Sequence, residues 1–321
     1  MFHHFHGEKH PVSQGSISAD ELAQVIEYCG VDRFLQAEEW CEKAVAGTLD
    51  ARDLCITFDD GLLCQYEVAL PVLKQYRLTG FWFVYTSVHT GSIEMIEVYR
   101  TFRHQCFDSM DEFYERFFAT IENTSLRETV QPQLETFDPG DYLRYCPFYS
   151  IEDKRFRFMR DVVLNRAQYN DVMMSMLEDY HFDLGDWASR LWMREDHLRD
   201  LRARGHVIGL HSHTHPTACA RLPVSEQNWE YLANYTTLLR VMGEAALTVA
   251  HPCNSYNAEV LRILRQLGIK VGFSATMELA DAASDLELPR EDHANIMRQL
   301  RSDVHAPAAT PTAASGSGES P

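Results

Sequence analysis

The chain has 321 residues and a net charge of -18 at neutral pH, which argues against a duplex nucleic acid as partner, because phosphate binding needs a basic surface. A hydrophobic share of 45% with 11% aromatics supports a substantial core, in one large domain or two smaller ones, and argues against disorder. Eight cysteines are scattered without a CxxC pair, the opening MFHHFHGEKH has no apolar secretory core, and no apolar run reaches transmembrane length. Reduced thiols and a cytoplasmic location are the expectation.

After FHHFH the chain predicts a helix, with Ser18 and Glu21 as a capping box and Leu22, Val25 and Ile26 as the apolar stripe. LCITF, 54–58, reads as a strand that runs straight into DDG. A helical segment over 63–77 follows, in which Pro71 marks a kink or a new start, and then GFWFVYT, 80–86, reads as a fully buried strand. Residues 93–192 are helical in character, with repeated aromatic and charged residues. They are far longer than a crossover needs, so they are expected to be an insertion that covers the site or forms a homo-oligomer contact.

Beyond it, HLRDLRARG ends a helix at Gly205 and HVIGLH, 206–211, is the next strand. A helix over 225–242 with Trp229, Leu232 and Leu239 inward leads to the strand 248–252; the helix 258–268 and the strand 269–275 follow. Such alternation predicts parallel strands wrapped by helices, an α/β barrel or doubly wound sheet, with the site at the strands' carboxyl ends. From 302 to 321 the composition of Ala, Pro, Ser, Thr and Gly predicts a disordered tail.

The polar clusters fall at those strand ends. Asp59 and Asp60 follow a buried strand and precede Gly61; adjacent carboxylates repel unless they share a cation or a proton, although a pair of Asp residues also suits a helix N-cap. GLHSHTHPT, 209–217, carries three histidines at alternate positions. One aspartate from 59–60 with two of the histidines 211–215 makes a divalent-ion site with an open position, as in catalytic rather than structural metal centres. The second aspartate is then free to act as a general base.

TFDDG, 57–61, followed by HSHTHP, 211–216, resembles the first two motifs of the polysaccharide deacetylase, or NodB-homology, family. The resemblance implies a distorted (β/α) barrel, residues 1–92 and 193–301, interrupted by the helical insertion 93–192. It implies metal-dependent removal of an acyl group, acetyl or formyl, from an amino sugar. Position by position, Asp59 corresponds to the general base, and Asp60, His211 and His215 to the metal ligands, with zinc the first expectation and cobalt, nickel or iron accepting the same set. His213 falls at a variable position.

HPCNSYN, 251–257, stands where the family has its groove-lining third motif, so Pro252, Cys253, Asn254 and Tyr256 are candidate substrate contacts. Ala250 occupies the place of an arginine that many members have just before it. LPREDHANI, 288–296, resembles a stretch of the surface-polysaccharide branch, in which Arg290 stands in for the missing arginine and His293 is the candidate general acid. His3, in the opening FHHFH, matches a strand residue that points into the site. The expected substrate is a sugar nucleotide or lipid-linked intermediate of surface-glycan assembly. An amidohydrolase acting on a non-sugar amide or imide, of allantoinase type, and a non-catalytic metal- or sugar-binding relative are the alternatives.

Overall fold

The computed structural model describes residues 1–144, 146, 148–278 and 284–305. Its centre is one parallel sheet whose five strands pair in chain order: β1 (Thr57–Asp59), β2 (Phe81–Val84), β3 (Val207–Leu210), β4 (Thr248–Ala250) and β5 (Val271–Phe273). Each is shorter than its predicted segment, because the chain leaves the ladder as it bends into the loops that carry the polar motifs. The strands are almost wholly buried, as expected of a sheet covered on both faces. Gly209 is required in β3: a Cβ there would come within 2.5 Å of the Phe83 ring and of Thr248 Oγ1.

The sheet is a curled half-barrel, and its edges are extended by isolated bridges. Phe2 pairs in parallel with Phe58, and Leu288 in parallel with Phe273. The two extensions meet where the His293 amide donates to the Met1 carbonyl at 3.2 Å. This closure brings the segment after Leu288 against the end of β1.

Helices fill the crossovers. α1 (Ala19–Cys29) has the expected capping box and buries Leu22, Val25 and Ile26. After α2 (Ala37–Ala46) and β1, a π-helical turn (Gln65–Ala69) runs into α3 (Leu70–Tyr76), with Pro71 where the two join. Between β2 and β3 stand α4 (Met95–Cys106), α5 (Met110–Glu122), α6 (Arg127–Thr136), α7 (Ile151–Phe158), α8 (Arg166–Asp179), α9 (Leu184–Leu191) and α10 (Glu195–Ala203). The aromatic side chains Phe102, Phe113, Phe117 and Phe156 of this block belong to the same apolar cluster as Phe58 and Trp82 of the sheet. These aromatic side chains of the block are therefore packing.

α11 (Val224–Met242) corrects one expectation. Trp229, Leu232 and Leu239 face outward, at 51%, 44% and 39% exposure, while Gln227, Glu230, Tyr231, Asn234, Thr237, Leu238 and Val241 are buried. The helix is turned by polar demand: buried backbone N–H groups of the neighbouring histidine loop need acceptors, and Glu230 and Asn234 supply them. α12 (Ala258–Gln266) and α13 (His293–His305) complete the fold. The tail expected from 302 begins as the end of α13, and residues 306–321 lie outside the described residues. Among the described residues no helix is long and apolar enough to cross a membrane.

Candidate metal centre

The DDG turn sits at the carboxyl end of β1. Asp60 takes a left-handed conformation (φ 81°) and so does Gly61 (φ 65°), which turns the chain back under β2. A non-glycine residue in that region is strained, and the strain is held here by burial on every side. It aims the Asp59 and Asp60 carboxylates into one cavity of about 960 Å³.

The histidine loop is shaped from beneath by α11. Glu230 accepts from the amides of His213 and Thr214, at 2.9 and 2.7 Å, and from the Thr214 hydroxyl at 2.5 Å. Asn234 accepts from the His211 amide at 2.9 Å and donates to the Val84 carbonyl and the Thr86 hydroxyl, so it ties the ends of β2 and β3 together. Ser212 and His215 take positive φ, 61° and 51°, so the chain turns between the histidines instead of staying extended. His211 and His215 therefore face Asp60, whereas His213 bonds Thr86 through Nδ1 at 2.9 Å and lies edge-on to Trp229.

Asp60, His211 and His215 offer ligand atoms that all lie within 4.8 Å of one another. His211 donates through Nδ1 to the Ala250 carbonyl at 2.9 Å, which leaves Nε2 as the free lone pair. That nitrogen and His215 Nε2 stand 3.4 and 3.3 Å from Asp60 Oδ1, an atom that is buried with no hydrogen-bond partner. Ligands about 2.0–2.1 Å from a tetrahedral ion stand about 3.3 Å apart, so the spacing fits a divalent cation among the three atoms.

The electrostatics agree with that donor set. Burial alone would raise the Asp60 carboxyl, but the His215 and His211 imidazoles outweigh it and hold the pKa well below the usual range. Burial pushes His215 down to about 4, partly offset by Asp60, so its ring is a neutral ligand at pH 7. For His211, burial is outweighed by Asp60 and Asp59, which raise its pKa.

Asp59 is held from the other side. Arg290 donates from Nη1 to Oδ1 and from Nη2 to Oδ2, and Arg290 Nε donates to the Ser274 carbonyl at 2.7 Å. Burial would raise the Asp59 carboxyl; Arg290, followed by His211, holds it below the ordinary value. His3 reaches the same carboxylate, with Nε2 3.8 Å from Oδ2. Gln65, from the π-helical turn, donates to the His3 carbonyl at 2.8 Å and fixes that segment.

The remaining candidates are distributed around this centre. Cys253, Asn254 and Tyr256 line the cavity, while Pro252 is buried at the start of its turn. Asn254 accepts from the Ala275 amide at 2.9 Å, and Tyr256 stacks on His251 with ring centroids 4.1 Å apart. His293 also lines the cavity, but its Nε2 donates to the Gly15 carbonyl at 2.9 Å, and burial lowers its pKa. Its Nε2 is therefore committed to the Gly15 carbonyl, and burial disfavours the charged ring. Glu230, Asn234 and Gln65 are absent from the motif reading; their only signal in the sequence is a polar residue where an apolar face is expected.

Residues 172–272 match the family model described as Polysaccharide deacetylase, a span that holds His211 and His215. No curated protein matches it. Among solved structures it is similar to the Streptococcus pyogenes deacetylase PplD in complex with acetate, with 16% identity, TM-score 0.52, and 94% and 96% of the two chains covered. It is also similar to IcaB from Ammonifex degensii, with 15% identity, TM-score 0.52 and 93% of each chain covered. The de-N-acetylase from Aggregatibacter actinomycetemcomitans is 11% identical, with TM-score 0.53 and coverage of 93% and 97%. At such identities the likeness speaks for the fold.

Proposed function

We propose that the protein removes an N-acyl group, acetyl in the first instance and formyl as the variant, from an amino sugar. The observation that carries this reading is the juxtaposition, in one cavity, of the Asp60–His211–His215 cluster and the Arg290-bracketed Asp59. A divalent ion held by Asp60, His211 and His215, zinc in the first instance, would supply a Lewis acid for the amide carbonyl and lower the pKa of the attacking water.

The chain's own groups do the rest. Asp59 takes the proton of that water, and Arg290 keeps the carboxylate ionised and fixed in one orientation. A backbone amide of the turn that begins at Pro252 would stabilise the developing oxyanion. The leaving amine needs a proton, and we assign that role to His3 in preference to His293. His3 Nε2 stands 3.8 Å from Asp59, whereas the His293 ring is committed to Gly15. All eight cysteines are free, which suits a reducing compartment, and we place the reaction in the cytoplasm, on a precursor of a surface glycan.

The test is amine release from a panel of N-acetylated and N-formylated sugars and sugar nucleotides, with zinc-loaded protein. Asp59→Asn is expected to keep the metal and lose about a thousandfold or more in rate. Near wild-type hydrolysis by that variant would remove Asp59 as the base. Tight glycan binding with no amine release by the wild type would instead mark a non-catalytic relative.

A further inference from the structure

The helices between β2 and β3 form one wall of the cavity, and that wall is cationic in an otherwise acidic chain. Arg100 and Arg103 lie one turn apart on α4, Arg157 comes from α7, and Arg160 follows it. Arg160 is paired with Asp161 at 2.7 Å, and the nearby Glu97 is taken by His4 at 2.8 Å. Asp153 accepts from the Tyr114 hydroxyl and from Gln14. Among the described residues, Arg100, Arg103 and Arg157 form no ion pair with any carboxylate.

Arg100 Nη2 donates to the Ser13 hydroxyl at 3.1 Å and to the Gln14 carbonyl, but other N–H groups of the three are idle. Arg103 is 5% exposed, yet its Nε and Nη1 are buried without a hydrogen-bond partner, as are Arg100 Nε and Arg157 Nε. Aromatic packing accounts for the faces of two guanidiniums and not for their edges: Arg103 lies over Phe113 and Phe156 at 5.5 and 5.2 Å, and Arg157 over Tyr149 at 3.9 Å. Burial, then repulsion from Arg100 and Arg157, pushes the Arg103 pKa down to about 10, with Tyr169 opposing; burial, then Arg100 and Arg103, takes His104 to about 3. Like charges gathered in a low-dielectric wall are costly unless an anion joins them.

We propose that Arg100, Arg103 and Arg157 form an anion subsite that binds the diphosphate of an activated amino sugar, in the same cavity as Asp59 and Asp60. A carboxylate carries one charge and is satisfied by one bidentate guanidinium; three unpaired guanidiniums match a group of higher charge with several acceptor oxygens. Nucleoside diphosphate sugars and lipid diphosphate sugars share that chemistry. That the anion is carried by an acylated sugar rests on the deacylase reading; the anion subsite itself does not.

The experiment is calorimetric titration of inorganic pyrophosphate into the metal-free full-length chain, so that coordination to a divalent ion contributes nothing. The expectation is salt-sensitive binding that weakens about tenfold or more in Arg157→Gln and in Arg103→Gln. Arg103 is packed between aromatic rings, so where Arg103→Gln fails to fold, the more accessible Arg157→Gln decides. Equal pyrophosphate affinity in wild type and Arg157→Gln overturns the subsite.

Hydrolysis separates the sources and the two readings. A nucleoside diphosphate N-acetyl sugar, a short-chain prenyl diphosphate N-acetyl sugar and the free N-acetyl sugar are compared with zinc-loaded protein. The subsite predicts a lower KM for one diphosphate than for the free sugar, and loss of that advantage in Arg157→Gln. Pyrophosphate binding with no amine release from any of the three sustains the subsite and defeats the deacylase reading. Equal hydrolysis of all three by wild type and Arg157→Gln does the reverse.

Discussion

Arg290 and Asp59, 231 residues apart in the chain, meet as a bidentate ion pair, with Nη1 to Oδ1 at 2.7 Å and Nη2 to Oδ2 at 2.8 Å. Both side chains are only 3% exposed, so neither charge has water to fall back on. Removing Arg290 would leave a buried carboxylate uncompensated. Arg290→Met is expected to cost about 3–5 kcal/mol in urea unfolding at pH 7. Burial then acts on Asp59 without its main opponent, so the carboxyl pKa rises and the acid limb of the rate profile moves to higher pH. Arg290→Lys should recover part of both effects, and an acid limb that stays put in a folded Arg290 variant would contradict the pairing role.

His213 and its two neighbours should part company under mutation. His213→Ala removes a bond to Thr86 and a contact with Trp229, a loss on the order of 1–2 kcal/mol of stability, and should leave metal stoichiometry unchanged. His211→Ala and His215→Ala should each lose most bound metal. Elemental analysis of untagged protein distinguishes the two patterns; loss of metal from His213→Ala would place that ring in the centre.

Glu230 touches no ligand directly but accepts three hydrogen bonds from the loop that carries them. Glu230→Ala should therefore lower zinc affinity by about 10–100-fold while leaving all three ligand side chains in place. A competition titration with a chromogenic chelator reads this, and unaltered affinity would mean that the loop holds its shape without Glu230.

Glu94 sets a pH dependence of stability. Its buried carboxyl is pushed up to about 8, by burial first and then by the neighbouring Glu97, against the hydrogen bond from the Glu97 amide. The folded state therefore holds a proton that the unfolded chain has already released. The resulting stability is complete below about pH 4.5 and is lost as pH rises through about 8. Glu94→Gln should match wild type near pH 4 and exceed it by on the order of a few kcal/mol at pH 9. Parallel urea-unfolding curves for the two proteins across that range would refute the shift.

Much of this was legible in the residues. Parallel strands alternating with helices follow from buried apolar runs separated by amphipathic segments, and both motifs fall where strands end. The capping box at Ser18 and Glu21 is a local signal, carried by four consecutive positions, and it forms. The orientation of α11 was not legible, because a hydrophobic stripe predicts an apolar interior and this helix faces polar backbone. Trp229, Leu232 and Leu239 make a plausible core face, and only the unsatisfied amides of the 211–214 loop explain why Glu230 and Asn234 displace it.

The sequence by itself determined the chemistry available: two carboxylates after one buried strand, three histidines after another, and an arginine in LPREDH to replace the one missing at Ala250. Those are properties of residue type and local spacing, which survive without coordinates. Only the tertiary structure decided which histidines share a face, because positive φ at Ser212 and His215 breaks the alternation that an extended strand would impose. It alone joined Arg290 to Asp59, through the contact of the segment after β5 with the amino-terminal edge of the sheet. And it alone gathered Arg100, Arg103 and Arg157 into the cavity, since three cations on two separate helices become one field only when packing removes the water between them.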